Sequence, residues 1–387
     1  MPWSETNPMQ QRAQFVLDAL KGHFSMTELC ERYEVSRKTG YKWVERYHCE
    51  GTPGCEDRPR QPKRHPNATP LYIVRGVLKA RRKHPGWGAR TLHRVLTRDQ
   101  PETPWPSPST IGAILKANQL VKKRRRRAAK SPWRPARTRA ERPNHIWTAD
   151  FKGQFRLGNG VLCFPLTIVD AHSRYLLICR GLKSTAVKPA RRIFEEAFRE
   201  YGLPEVIHTD NGVPFCAPSS LLGLSTLSVW FLKLGIRLER SRPGKPQDNG
   251  AHERMHRTLK EEVAFPASRN EAAQQRALNR FRECYNQVRP HHALQLETPA
   301  VHYSTSLRPY PAELADPIYP PHFETRRVTK IGVVTWKHKR IFISTALGNQ
   351  TVGFEHIAEG LWSVFFGDVL LGRLLEGESR IIVGAGR

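Results

Sequence analysis

The spacing of apolar and polar positions changes along the chain, and each change predicts a different kind of element. Over residues 8–48 it is helical: Phe15, Val16 and Leu20 share one face, and a second helix is predicted over 26–33 behind a Ser25 or Thr27 cap. Glu34-Val35-Ser36 reads as a turn in which Val35 fills the core and Ser36 caps the next helix. That third helix, 37–47, alternates cations with large rings, the polarity of a helix-turn-helix whose last helix enters a DNA groove. Arg37, Lys38 and Tyr41 would approach base edges, and Lys42 and Arg46 the phosphates. A three-helix bundle with a solvated basic face is the plainer alternative. A second helical stretch covers 70–120, with Leu71, Ile73, Val74, Val77 and Leu78 as its first apolar face, a turn at Pro85-Gly86-Trp87-Gly88, and a Ser107-capped helix opening on Pro108. It reads as a second helix-turn-helix-like module or as a structural spacer.

From residue 143 the pattern shortens to that of strands. Segments 146–155, 161–170 and 174–180 are predicted strands separated by Asn159-Gly160 and Ala171-His172-Ser173. Helix 187–201, strand 205–209, a helix near 220–234, strand 236–240 and helices 249–263 and 270–287 follow. Such an order describes a mixed sheet with helices on both faces. Beyond a Pro-rich connection, short strands between 326 and 374 punctuated by Gly332, Gly348-Asn349, Glu359-Gly360 and Gly367-Asp368 predict a small β-barrel. The fold class is thus α/β multidomain, with modules expected at 8–50, 70–120, 143–303 and 322–380 and a basic linker at 121–142.

Charge adds a partner to this outline. The chain holds 63 Lys and Arg against 35 Asp and Glu, formally +28. Residues 1–142 alone hold 31 of those cations and 12 of the acids. A surplus of this size repels itself unless a polyanion offsets it, and nucleic acid is the usual one. The run 122–127 opens an arm with ten cations by residue 139, in which Lys122, Arg124 and Arg126 would track phosphates without reading sequence. A localisation signal is the alternative. The basic rim of the last module (Arg326, Arg327, Lys330, Lys337, Lys339, Arg340) suits DNA or a plain assembly role. No apolar run of about 18 residues predicts a membrane span, and no leader pattern opens the chain, so a cytoplasmic location is expected. Seven cysteines without CxxC pairs read as reduced thiols, and sixteen histidines as incidental.

Three acids then stand out. Asp150 sits in an apolar extended run, where a carboxylate is costly unless paired or metal-bound. Asp210 precedes Asn211-Gly212 and could be a turn residue alone. Glu253 could be an ordinary acid in the first turn of a helix. If the first and fourth strands are neighbours, the two aspartates lie side by side and the helix brings Glu253 to them. An all-oxygen set of this kind suits Mg²⁺ or Mn²⁺, two ions being expected roughly 3.5–4 Å apart. Arg257 and Lys260, four and seven residues beyond Glu253, would present cations on the same helix face to a DNA backbone.

Trp147-Thr148-Ala149-Asp150-Phe151, His208-Thr209-Asp210-Asn211-Gly212, Pro243–Arg254 with Thr258-Leu259-Lys260, and Tyr285-Asn286-Gln287-Val288-Arg289-Pro290-His291 together resemble the integrase-type core of bacterial insertion-sequence transposases, within the retroviral integrase superfamily. The resemblance covers about 143–303 and, more loosely, the N-terminal helix-turn-helix. It implies a ribonuclease-H-like sheet in which the first and fourth strands are adjacent. It also implies an Asp-Asp-Glu set at Asp150, Asp210 and Glu253 and dependence on Mg²⁺ or Mn²⁺. One departure is the 42 residues between Asp210 and Glu253, more than many relatives have; the surplus is expected in 217–228 as a surface lengthening. Asp248 is the rival third ligand. The His-His-Cys-Cys zinc pattern of retroviral integrases is missing from the N-terminal part.

The resemblance implies a transposase that binds terminal inverted repeats, cuts at the element's end and joins the freed 3′-hydroxyl to target DNA as a homo-oligomer in a bacterial cell, close to the nucleoid. A DNA-binding regulator with a silent core and a simple metal nuclease are the competing readings.

Overall fold

The computed structural model describes residues 7–58, 68–121, 138–218, 220–242, 249–378 and 380–382. The chain divides into two compact units, Met1–Ala68 and Thr69–Arg387. In the first, α1 (Pro8–Lys21), α2 (Met26–Arg32) and α3 (Arg37–Glu50) enclose Phe15, Val16, Leu29, Cys30, Trp43 and Cys55. Ser25 caps α2 through a reciprocal box with Glu28, and Ser36 Oγ accepts from Thr39 N at the head of α3. Val35 packs against the core from the turn, as expected. Gly40 is where α3 closes on its neighbours: a Cβ there would stand 2.7 Å from Cys30 Sγ. Leu20, expected on the inner face of α1, is instead 48% exposed, because α2 and α3 cover only the Phe15–Val16 side.

The second unit opens with α4 (Leu71–Lys83), α5 (Ala89–Asp99) and α6 (Pro108–Ala117), packed around Val77, Trp87, Leu92, Val95, Ile111 and Leu115. Leu71 lies outside this core and is exposed. A mixed sheet follows. Its strands are β1 (Ile146–Phe151), β2 (Phe155–Arg156), β3 (Leu162–Asp170), β4 (Leu176–Leu182), β5 (Val206–Thr209) and β6 (Arg237–Arg240). β1 lies between antiparallel β3 and parallel β5; β6 extends the parallel side and β4 the antiparallel side, while β2 pairs with the start of β3. α7 (Val187–Tyr201) and α8 (Thr226–Lys233) cover one face through Phe194, Phe198, Trp230 and Phe231. α9 (Gly250–Leu259) and α10 (Glu271–Glu283) cover the other through Met255, Leu259, Leu278 and Phe281. Both helices run on into π-helical turns, Lys260–Ala264 and Cys284–Val288.

The last strands are β7 (Glu324–Arg327), β8 (Val333–Trp336), β9 (Lys339–Phe342), β10 (Thr351–Ala358), β11 (Leu361–Phe366), β12 (Val369–Leu375) and β13 (Ile381–Ile382). The expected barrel does not close among the described residues. β13-β12-β11-β10-β7 form an open antiparallel sheet and β8–β9 a separate hairpin, with one isolated bridge from Phe342 to Arg380. The hairpin buries its apolar side against the sheet, Trp336 stacking on Phe354 at 4.2 Å, so burial comes from face-to-face packing instead of strand closure.

A second correction concerns the stretch between Asp210 and α8. It is no surface lengthening. Leu224 belongs to the core of the C-terminal sheet, Leu221 packs against it, and Ser220 Oγ lies 2.6 Å from Ser344 Oγ. Arg240 on β6 donates to the carbonyls of Leu222 and Gly223 at 2.6 and 2.9 Å. The extra residues therefore strap the C-terminal strands to the mixed sheet.

Candidate active site

β1 and β5 run parallel in a register that pairs Ala149 with Thr209. Asp150 and Asp210 are the next residues on each strand, so they stand side by side at the carboxyl end of the sheet, where neighbouring strands are about 4.8 Å apart. Asp150 keeps 22% of its side-chain surface exposed. Asp210 is exposed, and its Oδ1 accepts from Gly212 N at 3.0 Å. The turn role expected of Asp210 is thus filled while its carboxylate stays exposed. Gly212 is what lets the carboxylate fold back: a Cβ there would meet both of its oxygens, at 3.0 and 3.3 Å. Asn211 Nδ2 donates to Ser241 O at 2.6 Å and ties the turn to the segment after β6. Glu253 is exposed in the first turn of α9.

Asp150 feels the other two acids. Burial first, then the charge of Asp210, then that of Glu253 push the Asp150 carboxyl up to about 7, against the opposing pull of Phe151 N–H and Lys152. Crowded carboxylates of this kind are stabilised in their charged form by a hard cation, and the donors are all oxygens. Among the described residues, however, no three His, Cys, Asp or Glu side chains are gathered into a ready metal cage. The fit therefore rests on donor chemistry and mutual repulsion, not on a preformed cavity. Asp248 lies outside the described residues, as do Lys122, Arg124 and Arg126. Arg257 is exposed on α9. Lys260 is exposed in the π-helical turn, where helical spacing no longer holds, and its Nζ sits 5.3 Å over the Phe265 ring.

The histidines are not all incidental. His252 and His256, one turn apart on the inner side of α9, are buried and bonded to Thr148 and Thr167. Their i, i+4 spacing around Glu253 was the available signal; only the packing of α9 on β1 and β3 gives it meaning. In the N-terminal unit Arg37, Lys38, Tyr41 and Lys42 are exposed on α3. Trp43 beneath them has Arg12, Lys42 and Arg46 at 4.3, 4.5 and 5.0 Å from its ring. Arg12, which sequence reasoning passed over, also pairs with Asp57 at 3.0 Å.

The Integrase core domain family matches residues 140–246 and again 234–299. A Helix-turn-helix domain matches 11–63 and a Homeodomain-like domain 39–115. The Pol polyprotein of Feline endogenous virus ECE1 is 35% identical over 126 residues, 32% of this chain and 11% of that protein. The Gag-Pol polyprotein of Koala retrovirus is 35% identical over 127 residues, 32% of this chain and 7% of that one. The chain thus spans about a tenth or less of the length of these relatives. A simian T-cell lymphotropic virus intasome in complex with a PP2A regulatory subunit superimposes with a TM-score of 0.38 at 19% identity, over 76% of this chain and 97% of that one. The HTLV-2 integrase catalytic core domain in complex with magnesium gives 0.35 at 19% identity, over 43% and 100%. Residues 140–299 thus match an integrase core domain, with matches to helix-turn-helix and homeodomain-like domains ahead of it.

Proposed function

We propose that the chain is a DDE transposase that cuts DNA at the ends of a mobile element and joins them to target DNA. The observation that carries this reading is the adjacency of Asp150 and Asp210, with Asp150 raised to about 7 by burial and by the other two acids. Asp150, Asp210 and Glu253 would hold Mg²⁺ or Mn²⁺, two ions in all. Divalent cations so held activate an attacking oxygen and stabilise a leaving one. The protein's own part is positioning. The two strand ends set the spacing of the aspartates, Gly212 makes room for the Asp210 carboxylate, and Arg257 and Lys260 offer cations to the phosphate backbone beside them. Water is the nucleophile for cutting and the DNA 3′-hydroxyl for joining, so no protein side chain forms a covalent bond to DNA.

The α1–α3 unit binds the terminal repeats, α3 entering a groove with Arg37, Lys38 and Tyr41 while Lys42 and Arg46 hold phosphates. The arm containing Lys122, Arg124 and Arg126 adds salt-dependent affinity. The functional modules on this reading are 8–50, 70–120, 143–303 and 322–380. Two element ends handled together call for a homo-oligomer, working in a bacterial cytoplasm beside the nucleoid. No helix among the described residues is long and apolar enough to cross a membrane.

The test is strand transfer: purified protein, Mg²⁺, labelled element ends and a plasmid. Joined product is expected from the native chain and a loss of at least about a thousandfold with Asp210→Asn, some 4 kcal/mol of transition-state stabilisation. Cleavage without joined product would leave a simple nuclease. If Asp210→Asn changes nothing while Arg37→Ala abolishes every DNA-dependent activity, the regulator with a silent core is the correct reading.

A further inference from the structure

The outward face of α4 is cationic along its length. Arg75, Lys79 and Arg82 are exposed at successive turns, on the side away from the buried Ile73 and Val77. α5 adds exposed Arg90 and Arg94, one turn apart and clear of its buried Thr91, Leu92 and Val95. Among the described residues none of these five cations pairs with an acid. Other cations of the same two helices hold the module together. Arg81 donates to Trp87 O and, at 2.8 Å, to Leu120 O. Arg98 donates to Val288 O at 3.3 Å and pairs with Asp99 at 3.0 Å.

A helix face that merely meets solvent mixes its signs. α7 sets four cations against Glu195, Glu196 and Glu200, and Arg199 pairs with Glu195 at 2.6 Å. α10 sets three cations against Glu271 and Glu283. α4 has five cations in thirteen residues and no acid. Its Arg75, Lys79 and Lys83 follow one another at four-residue spacing, where like charges repel and weaken a helix. A polyanion lying along the face offsets that repulsion. From Arg75 to Arg82 the helix rises about 10 Å, which is about three phosphate steps along one DNA strand. α4 and α5 contain no Asn or Gln, the side chains that read adenine in a groove. α6, the third helix of the module, has Lys116 as its one cation.

We infer that the outward faces of α4 and α5 bind the phosphate backbone of duplex DNA and track it without reading sequence, through Arg75, Lys79, Arg82, Arg90 and Arg94. The second module then meets DNA with its first two helices and not with its third. This rests on the proposed function only in taking DNA as the substrate.

The test compares the native full chain with Arg75→Ala/Lys79→Ala/Arg82→Ala and with a charge-matched control, Arg199→Ala/Arg276→Ala/Arg280→Ala. All six side chains are exposed, and melting temperature checks each fold. Affinity for a fluorescent duplex of arbitrary sequence is measured over a range of NaCl concentrations. The α4 variant is expected to bind at least about tenfold more weakly and to lower the salt slope by about 3, one for each lost phosphate contact, and the control by less than about 1. Arg90→Ala/Arg94→Ala should lower it by about 2. A native slope in the α4 variant would overturn the inference. So would an equal fall in the control, since net charge alone would then account for it. Should the α4 variant not fold, acetylation of Lys79 in the native chain decides. Duplex DNA is expected to protect it; no protection, or protection by polyglutamate alone, defeats the proposal. Asp210→Asn keeps the two readings apart, with a native slope and lost joining expected. If the native chain joins nothing while the α4 variant still loses slope, the transposase reading falls and this one stands.

Discussion

The third helix of the first module, α3, turns Arg37, Lys38, Tyr41 and Lys42 to solvent, whereas the third helix of the second, α6, exposes Ser109, Ala113 and Lys116. Both helices are capped by a serine, Ser36 and Ser107, and both follow two helices with apolar inner faces. The difference lies in what the rest of each module touches. The α1–α3 core is closed by its own residues within a separate unit. The α4–α6 core is completed from outside by Cys284 and Val288 at the end of α10, and Arg98 donates to Val288 O at 3.3 Å. Gly86, in the turn before α5, comes so near the π-helical turn after α9 that a Cβ would touch Glu262 Oε1 at 3.4 Å. Similar helix counts and caps therefore support different tasks. A module that supplies its own core is free to use its third helix on a ligand. One that shares its core is a wall of the mixed-sheet unit first.

The largest test of that contrast is Trp87→Ala. Trp87 is 1% exposed at the centre of the shared core, so its removal is expected to cost about 3–5 kcal/mol. The loss should appear in the transition of the catalytic unit, read by calorimetry together with hydrogen exchange along α10. Trp43→Ala should weaken only the first unit. Unchanged protection of α10 in Trp87→Ala would show that the second module is no part of that unit. Next comes charge reversal measured by DNA affinity against salt. Lys42→Glu or Arg46→Glu is expected to lower the salt slope by about 1 each, as a lost phosphate contact does. Lys116→Glu on α6 should leave the slope within error; equal effects on α3 and α6 would erase the distinction.

The smallest effect is one of pH. His84 stacks on Trp87 at 3.7 Å, and burial, then Lys83, hold its pKa below the ordinary 6.5. The folded ring stays neutral where the unfolded ring takes up a proton. The unfolded state therefore binds more protons below 6.5, and stability falls as pH drops through that value. Melting temperature of the catalytic unit should decline from pH 7 to 5, and His84→Gln should flatten this part of the slope. A slope identical in His84→Gln would assign it elsewhere.

Much of this molecule was legible before any coordinates. Ser36, Val35 and the cation–ring alternation of 37–47 mark a turn and a helix because caps and periodicity are local properties. Asp150, Asp210 and Glu253 stood out because each occupies a position where a carboxylate is costly or conspicuous. Leu20 was misread because apolar spacing shows that a face exists but not how much of it is covered. The stretch 217–228 looked like a surface loop because its partner, the core around Val334 and Phe354, lies over a hundred residues away.

Chain order alone carried the module sequence, the basic surplus with its implied polyanion, and the three acids, since composition, capping and hydrophobic period are written residue by residue. Folding alone settled that β1 and β5 share a register that sets Asp150 beside Asp210, that two histidines and two threonines stand behind them, and that α4–α6 share a core with α10. Each of these is a pairing between distant segments. It is selected by which apolar faces can be buried together and which buried donors find acceptors, and a linear pattern does not encode that choice.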